Sequence, residues 1–126
     1  MRFNPSLPGN RPFEVVGMGL NSVDFLSLVP EFPASNSKMM ILRFAKSGGG
    51  QVATAMVALS RWRIQTKYIG KVGSVELGRF SLESIRQEGV DVSSVTIEPD
   101  TPNQLGNILV EADTPRGDNF FIEGLT

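Results

Sequence analysis

The chain has 126 residues and a formal net charge of -1, with 12 Lys and Arg set against 13 Asp and Glu. That length supports one domain, and the balance gives no bulk electrostatic case for nucleic acid or an acidic membrane surface. Cys and His are absent, which removes the usual zinc sites, thiol nucleophiles and a Ser-His-Asp triad.

Any acid–base chemistry therefore falls to carboxylates, Lys, Tyr or hydroxyls. The lack of Cys fits a reducing compartment, and a cytoplasmic location is expected. No apolar run reaches the ~20 residues of a membrane helix. Residues 1–12, with Pro5, Pro8 and Pro12, read as an extended leader without the apolar core of a signal peptide.

Residues 13–20 have the short length and β-branched pair of a buried strand that ends in glycines. Gly17 and Gly19 match the start of a G-x-G-x-x-G dinucleotide fingerprint. Ser22 stands at its third position, however, and no helix opens there. A small α/β domain binding a nicotinamide cofactor stays one alternative. Asp24 follows just past this strand, where α/β sheets place ligand groups; a turn or capping carboxylate is its plainer role. Residues 25–29 and 38–44 are expected to form two further strands joined through Pro30, Pro33, Ala34, Ser35 and Asn36. Met39, Ile41 and Arg43 alternate with Met40, Leu42 and Phe44, so both faces of this ribbon are fairly apolar and need a cover.

Gly48, Gly49 and Gly50 then run into a helix expected over 50–62. A glycine loop lets backbone approach a ligand, and the first N–H groups of a helix favour a hydroxyl-rich or anionic one. A glycine turn that merely feeds a core helix is the structural alternative. Val52, Ala53, Ala55, Met56, Val57, Ala58 and Leu59 leave few polar positions, so this helix is expected to be buried on most faces. Trp62 is expected to pack at its exit and not to act as a binding platform.

A short strand is expected over 65–70 and a second helix over 75–88, with Ser74 as N-cap, Glu76 in the first turn and Gly89 as the stop. Leu77, Phe80, Leu82 and Ile85 share one sector of that helix, opposite Glu76, Arg79, Glu83 and Arg86. Strands are expected over 90–97 and 105–111. An antiparallel partner over 119–122 follows a turn at 114–118, which makes Arg116-Gly117-Asp118 a hairpin tip. This order predicts an α/β fold: a parallel sheet with flanking helices, plus a small β layer built from the ribbon and the final hairpin.

Three groups of residues, taken in order, resemble the N-terminal part of the ribokinase-like (phosphofructokinase B-type, PfkB) carbohydrate kinases. They are the glycine strand with Asp24; Ser47-Gly48-Gly49-Gly50 followed by Ala53-Thr54-Ala55; and Tyr68-Ile69-Gly70-Lys71-Val72-Gly73 followed by Leu77-Gly78 and Glu88-Gly89-Val90. The resemblance covers about residue 13 to the end and makes 13–126 the front portion of a ribokinase-like domain with a β lid. It implies ATP-dependent phosphorylation of a sugar or nucleoside hydroxyl by the parent enzyme, with Mg2+.

By the same resemblance Asp24, Gly48, Gly49 and Gly50 bind the acceptor, joined by Thr54 and Asn107. Ala53 stands where the family usually has Asn. No residue here matches the family's catalytic aspartate or its nucleotide site, and no Walker-type loop occurs. The chain alone is therefore expected to bind neither ATP nor metal and to be inactive or very weak. Phosphoryl transfer needs metal-held phosphates and a base at the nucleophile. A homodimer through the lid or an exposed sheet edge is expected, and the alternative function is a non-catalytic sugar-binding or interaction module.

Overall fold

The computed structural model describes residues 9–112 and 120–123. Its elements are β1 (Val15–Met18), β2 (Ser22–Val29), β3 (Arg43–Gly49), α1 (Gln51–Arg61), β4 (Thr66–Gly73), α2 (Glu76–Gln87), β5 (Asp91–Glu98), β6 (Leu105–Glu111) and β7 (Phe120–Glu123). One sheet runs β1-β4-β5, all parallel. The other runs β3-β2-β6-β7, with β2 parallel to β6 and antiparallel pairs on either side. The parallel α/β core and the accessory β layer are both present, and the ribbon and final hairpin share that layer. The turn at 114–118, with Arg116-Gly117-Asp118, lies outside the described residues, as do residues 1–8 of the leader.

Both helices cover the same face of the β1-β4-β5 sheet. Ala53 and Met56 of α1 meet Ile85 of α2, Tyr68 and Val90 in one buried cluster, with Val15, Val52, Val57, Val92 and Val95 packed around it. Gly17 belongs to this packing: a Cβ there would lie 2.7 Å from the Met56 sulfur. The chain passes from β1 directly into β2, not into a helix. The dinucleotide reading of Gly17 and Gly19 is thereby overturned. Among the described residues nothing covers the opposite face at β1, where Val16 is 53% and Met18 77% exposed, although parallel strands are normally covered on both faces.

Three further expectations are corrected. The second ribbon strand is Arg43–Gly49, not 38–44. Pairing opens with the Leu42 N–H donating to the Leu28 carbonyl at 2.8 Å, and the ladder sets Asp24 opposite Ser47 and Ser22 opposite Gly49. Gly48 and Gly49 are therefore strand residues, while Met40, Ile41 and Leu42 lie exposed ahead of the strand.

Helix α1 is not buried on most faces, since Thr54, Ala55 and Ala58 are exposed; among the described residues its partners cover one side only. Ser74 is not the cap of α2. Val75 holds that position without a side-chain bond, and the Ser74 hydroxyl instead accepts the Asp100 N–H at 2.9 Å. Gly89 does end α2, with φ of 85°. Gly78, Ser81 and Ile85 form its buried line, with Leu77, Phe80 and Leu82 only half-buried. Among the described residues no helix is long and apolar enough to cross a membrane.

The C-terminal ends of the two helices are clamped together. Arg61 Nε and Nη2 donate to the two Glu88 carboxylate oxygens at 2.8 and 2.6 Å, and the Ser60 hydroxyl donates to the Glu88 carbonyl at 2.7 Å. The Arg61 hydrogen bond holds the Glu88 carboxyl below its ordinary range. A depressed carboxylate stabilises the fold above its unfolded pKa, and the gain is lost as pH falls through the folded value. The gap in melting temperature between wild type and Glu88→Gln should therefore narrow from pH ~7 to pH ~3. A gap that stays constant over that range would contradict the clamp.

Candidate functional site

The expected acceptor residues gather where the two sheets join. Gly50 occupies the N-cap position of α1 with φ of 94° and ψ of 134°, a region almost closed to residues with a Cβ. Its Cα faces the β1–β2 connection, where a Cβ would lie 2.5 Å from the Leu20 carbonyl oxygen and 2.8 Å from Asn21 Cα. This close approach lets the Ala53 N–H donate to the Leu20 carbonyl at 3.2 Å. One of the free N–H groups of the first helical turn is thus capped by backbone, and the anion-binding capacity expected of this helix start is reduced by that much.

Asp24 lies on β2 and is half-buried. The Ser22 hydroxyl donates to its Oδ1 at 3.1 Å. On either side the neighbouring strands supply glycine. A Cβ at Gly49 would lie 2.0 Å from Asp24 Oδ2, and one at Gly106 would lie 2.8 Å from Oδ1. The carboxylate therefore rests in space left by two missing side chains, on the sheet face away from α2.

Strand alternation separates the remaining expected residues. Gly48 points to the other face, where a Cβ would lie 2.4 Å from the Ser84 hydroxyl of α2. Gly48, Gly49 and Thr54 open on a hollow of about 280 Å3 between β3, α1 and α2, with Arg61, Ser84 and Glu88 on its walls. Asn107 pairs with Phe25 while Gly106 pairs with Asp24, so Asn107 stands on the opposite face from the carboxylate. The structure brings together Asp24, Gly49 and Gly50; Thr54 lies on the far side of β3, and Asn107 is not with them.

Sequence reasoning missed two residues here, one beside Asp24 and one on the β1–β2 connection. One is Gly106. The other is Asn21, which is 4% exposed and whose amide nitrogen and oxygen have no hydrogen-bond partner among the described residues. Leaving a buried polar group without a partner costs about 1–3 kcal/mol. Asn21 lines a cavity of about 320 Å3 at the carboxyl ends of β1, β4 and β5, with Gly19, Lys71, Glu98, Thr101 and Asn103. Ligands of open α/β sheets bind at this end of the strands. The Tyr68 hydroxyl donates to the Gly19 carbonyl and so ties the β1–β2 connection to the core. Burial pushes the Tyr68 phenol up, which keeps it a proton donor. Among the described residues no three His, Cys, Asp or Glu side chains are grouped so as to hold a metal ion.

The fold is that of the ribokinases. It superposes on ribokinase from Giardia lamblia with a TM-score of 0.76 at 22% identity, over 89% of this chain and 33% of that one. Ribokinase from Arabidopsis thaliana, solved with ribose and ATP, matches with a TM-score of 0.74 at 18% identity, over 89% and 36%. The family model for pfkB family carbohydrate kinases matches residues 13–124, and the chain belongs to that family. It is 32% identical over 106 residues to 5-dehydro-2-deoxygluconokinase from Clostridium botulinum, covering 84% of this chain and 30% of the relative. The chain thus spans under half the length of the proteins it matches.

Proposed function

We propose that this chain is the acceptor-binding front of an ATP-dependent carbohydrate kinase, holding a sugar or nucleoside hydroxyl at Asp24 beneath the β3-β2-β6-β7 layer. The observation that carries this reading is the carboxylate seated between Gly49 and Gly106, with the unpartnered Asn21 amide on the connection just before its strand. A carboxylate accepts hydrogen bonds from sugar hydroxyls, and an amide both donates and accepts. Gly49 makes room for the Asp24 carboxylate, and Gly50 for the close approach of the β1–β2 connection. Thr54 and Asn107, which this geometry sets apart, are the weaker members of the set. ATP and Mg2+ belong to the remainder of the full-length family enzyme, and the present residues bind and orient the acceptor. The chain by itself is inactive or very weak, works in the cytoplasm, and pairs with a second copy through the lid, where Met40, Ile41, Leu42 and Phe44 are all at least half exposed.

The test is titration calorimetry of the purified protein with D-ribose and with 5-dehydro-2-deoxygluconate, for wild type and Asp24→Ala. A hydrogen bond to a charged group is worth about 1.5–3 kcal/mol, so the substitution should weaken binding about 10- to 100-fold with the melting temperature little changed. Equal affinity in the two proteins would end the Asp24 reading. Binding with no phosphoryl transfer, even in the longest natural form of the protein, would favour the non-catalytic sugar-binding module.

A further inference from the structure

We infer that Gly106 is a positioning residue for Asp24: by lacking a side chain it fixes which carboxylate oxygen meets the ligand. The inference rests on the acceptor-site reading above and deepens it. The β2–β6 register places Gly106 directly beside Asp24, and the β2–β3 register places Ser47 on its other flank, with Gly49 opposite Ser22.

The two carboxylate oxygens are held differently. Oδ1 lies over Gly106, 2.8 Å from where a Cβ would stand, and accepts from the Ser22 hydroxyl at 3.1 Å. Oδ2 lies over Gly49, 2.0 Å from where its Cβ would stand, and so sits against the strand that leads into Gly50 and the start of α1. The Ser22 hydroxyl occupies Oδ1, which lies in the space left by Gly106 on the β6 side. Oδ2 is the oxygen turned toward the helix start, and it is the one assigned to the incoming hydroxyl.

A methyl group at Gly106 meets the movable end of a half-buried side chain and no backbone. The Asp24 side chain can swing away, so the cost falls on the direction of the carboxylate. Alanine is also tolerated in a strand at least as well as glycine. Gly106→Ala should therefore fold normally and bind poorly. A methyl group at Gly49 meets Oδ2, Cγ and Oδ1 within 2.7 Å and should be more disruptive.

The experiment compares wild type, Gly106→Ala, Ser22→Ala and Asp24→Ala. It measures affinity for D-ribose and 5-dehydro-2-deoxygluconate, melting temperature, and the carbon-13 signal of the Asp24 carboxyl at neutral pH. Gly106→Ala should weaken binding about tenfold, leave the melting temperature near wild type and move the Asp24 signal. Ser22→Ala adds no volume and should move the same signal with a smaller loss of affinity. Should Asp24→Ala abolish binding while Gly106→Ala changes neither affinity nor the Asp24 signal, the positioning role is overturned and the acceptor-site reading stands. A drop in melting temperature and affinity with the Asp24 signal unmoved also overturns it, as a purely structural effect. Unchanged affinity in Asp24→Ala removes both.

Discussion

Gly50→Ala should be among the most damaging single substitutions in this chain, lowering stability by about 3–5 kcal/mol. Two costs add at one atom. The backbone sits at φ 94°, ψ 134°, where a residue with a Cβ pays about 1–3 kcal/mol. The added Cβ also falls 2.5 Å from the Leu20 carbonyl oxygen, and backbone, unlike a side-chain tip, cannot rotate aside. Moving Leu20 in turn breaks the bond that its carbonyl accepts from the Ala53 N–H. Native domains hold about 5–15 kcal/mol in all, so much of the variant would be unfolded. Urea denaturation followed by circular dichroism checks this, and a midpoint within about 0.5 M of wild type would refute the strain argument.

The second large effect concerns Tyr68, which is completely buried. Tyr68→Ala should cost about 3–5 kcal/mol through the cavity left between the two helices and the sheet. Tyr68→Phe should cost less, about 1–3 kcal/mol, because it keeps the ring and removes only the donor to the Gly19 carbonyl. The two variants separate packing from anchoring. Since Gly19 lies in the connection leading to Asn21 and Asp24, Tyr68→Phe should also weaken sugar binding beyond its effect on melting temperature. Equal stability losses in the two variants would show that the hydroxyl, and not the ring, carries the contribution of Tyr68.

Much of this architecture was legible in the chain. The alternation of strands and helices from 65 to 111 matched within about three residues at each boundary, because β-branched runs, a clean amphipathic helix and Gly89 all act locally. The ribbon was legible as an element but not in its register. Met39 to Phe44 alternate as well as any strand; the pairing was decided instead by where Asp24 and Ser22 find partners across β3, which is tertiary information. Ser74 looked like a cap because caps are judged from local sequence, yet its hydroxyl serves a residue 26 positions away.

At the site, Asp24 and the glycines stood out by residue type and order. Gly106 did not, because a strand glycine acquires meaning only when the neighbouring strand shows what fills its empty space. Asn21 was also missed, since nothing in Leu-Asn-Ser distinguishes an exposed turn amide from one that is buried and unpaired.

The chain crosses between its two sheets at three places: residues 19–21, Gly50, and residues 99–104. Asp24 lies two positions past the first strand residue of the lid, while the end of β2, Val29, lies seven past it. At ~3.3 Å per residue those positions are about 7 and 23 Å from the crossing. For a lid swing of roughly 10° about these crossings, the far end travels about 4 Å and the carboxylate about 1 Å. On the acceptor-site reading proposed above, Asp24 thus sits near the pivot of a lever whose long arm ends in the apolar segment before β3. On that reading, such a swing would move the far end of the β layer by several times as much as the carboxylate.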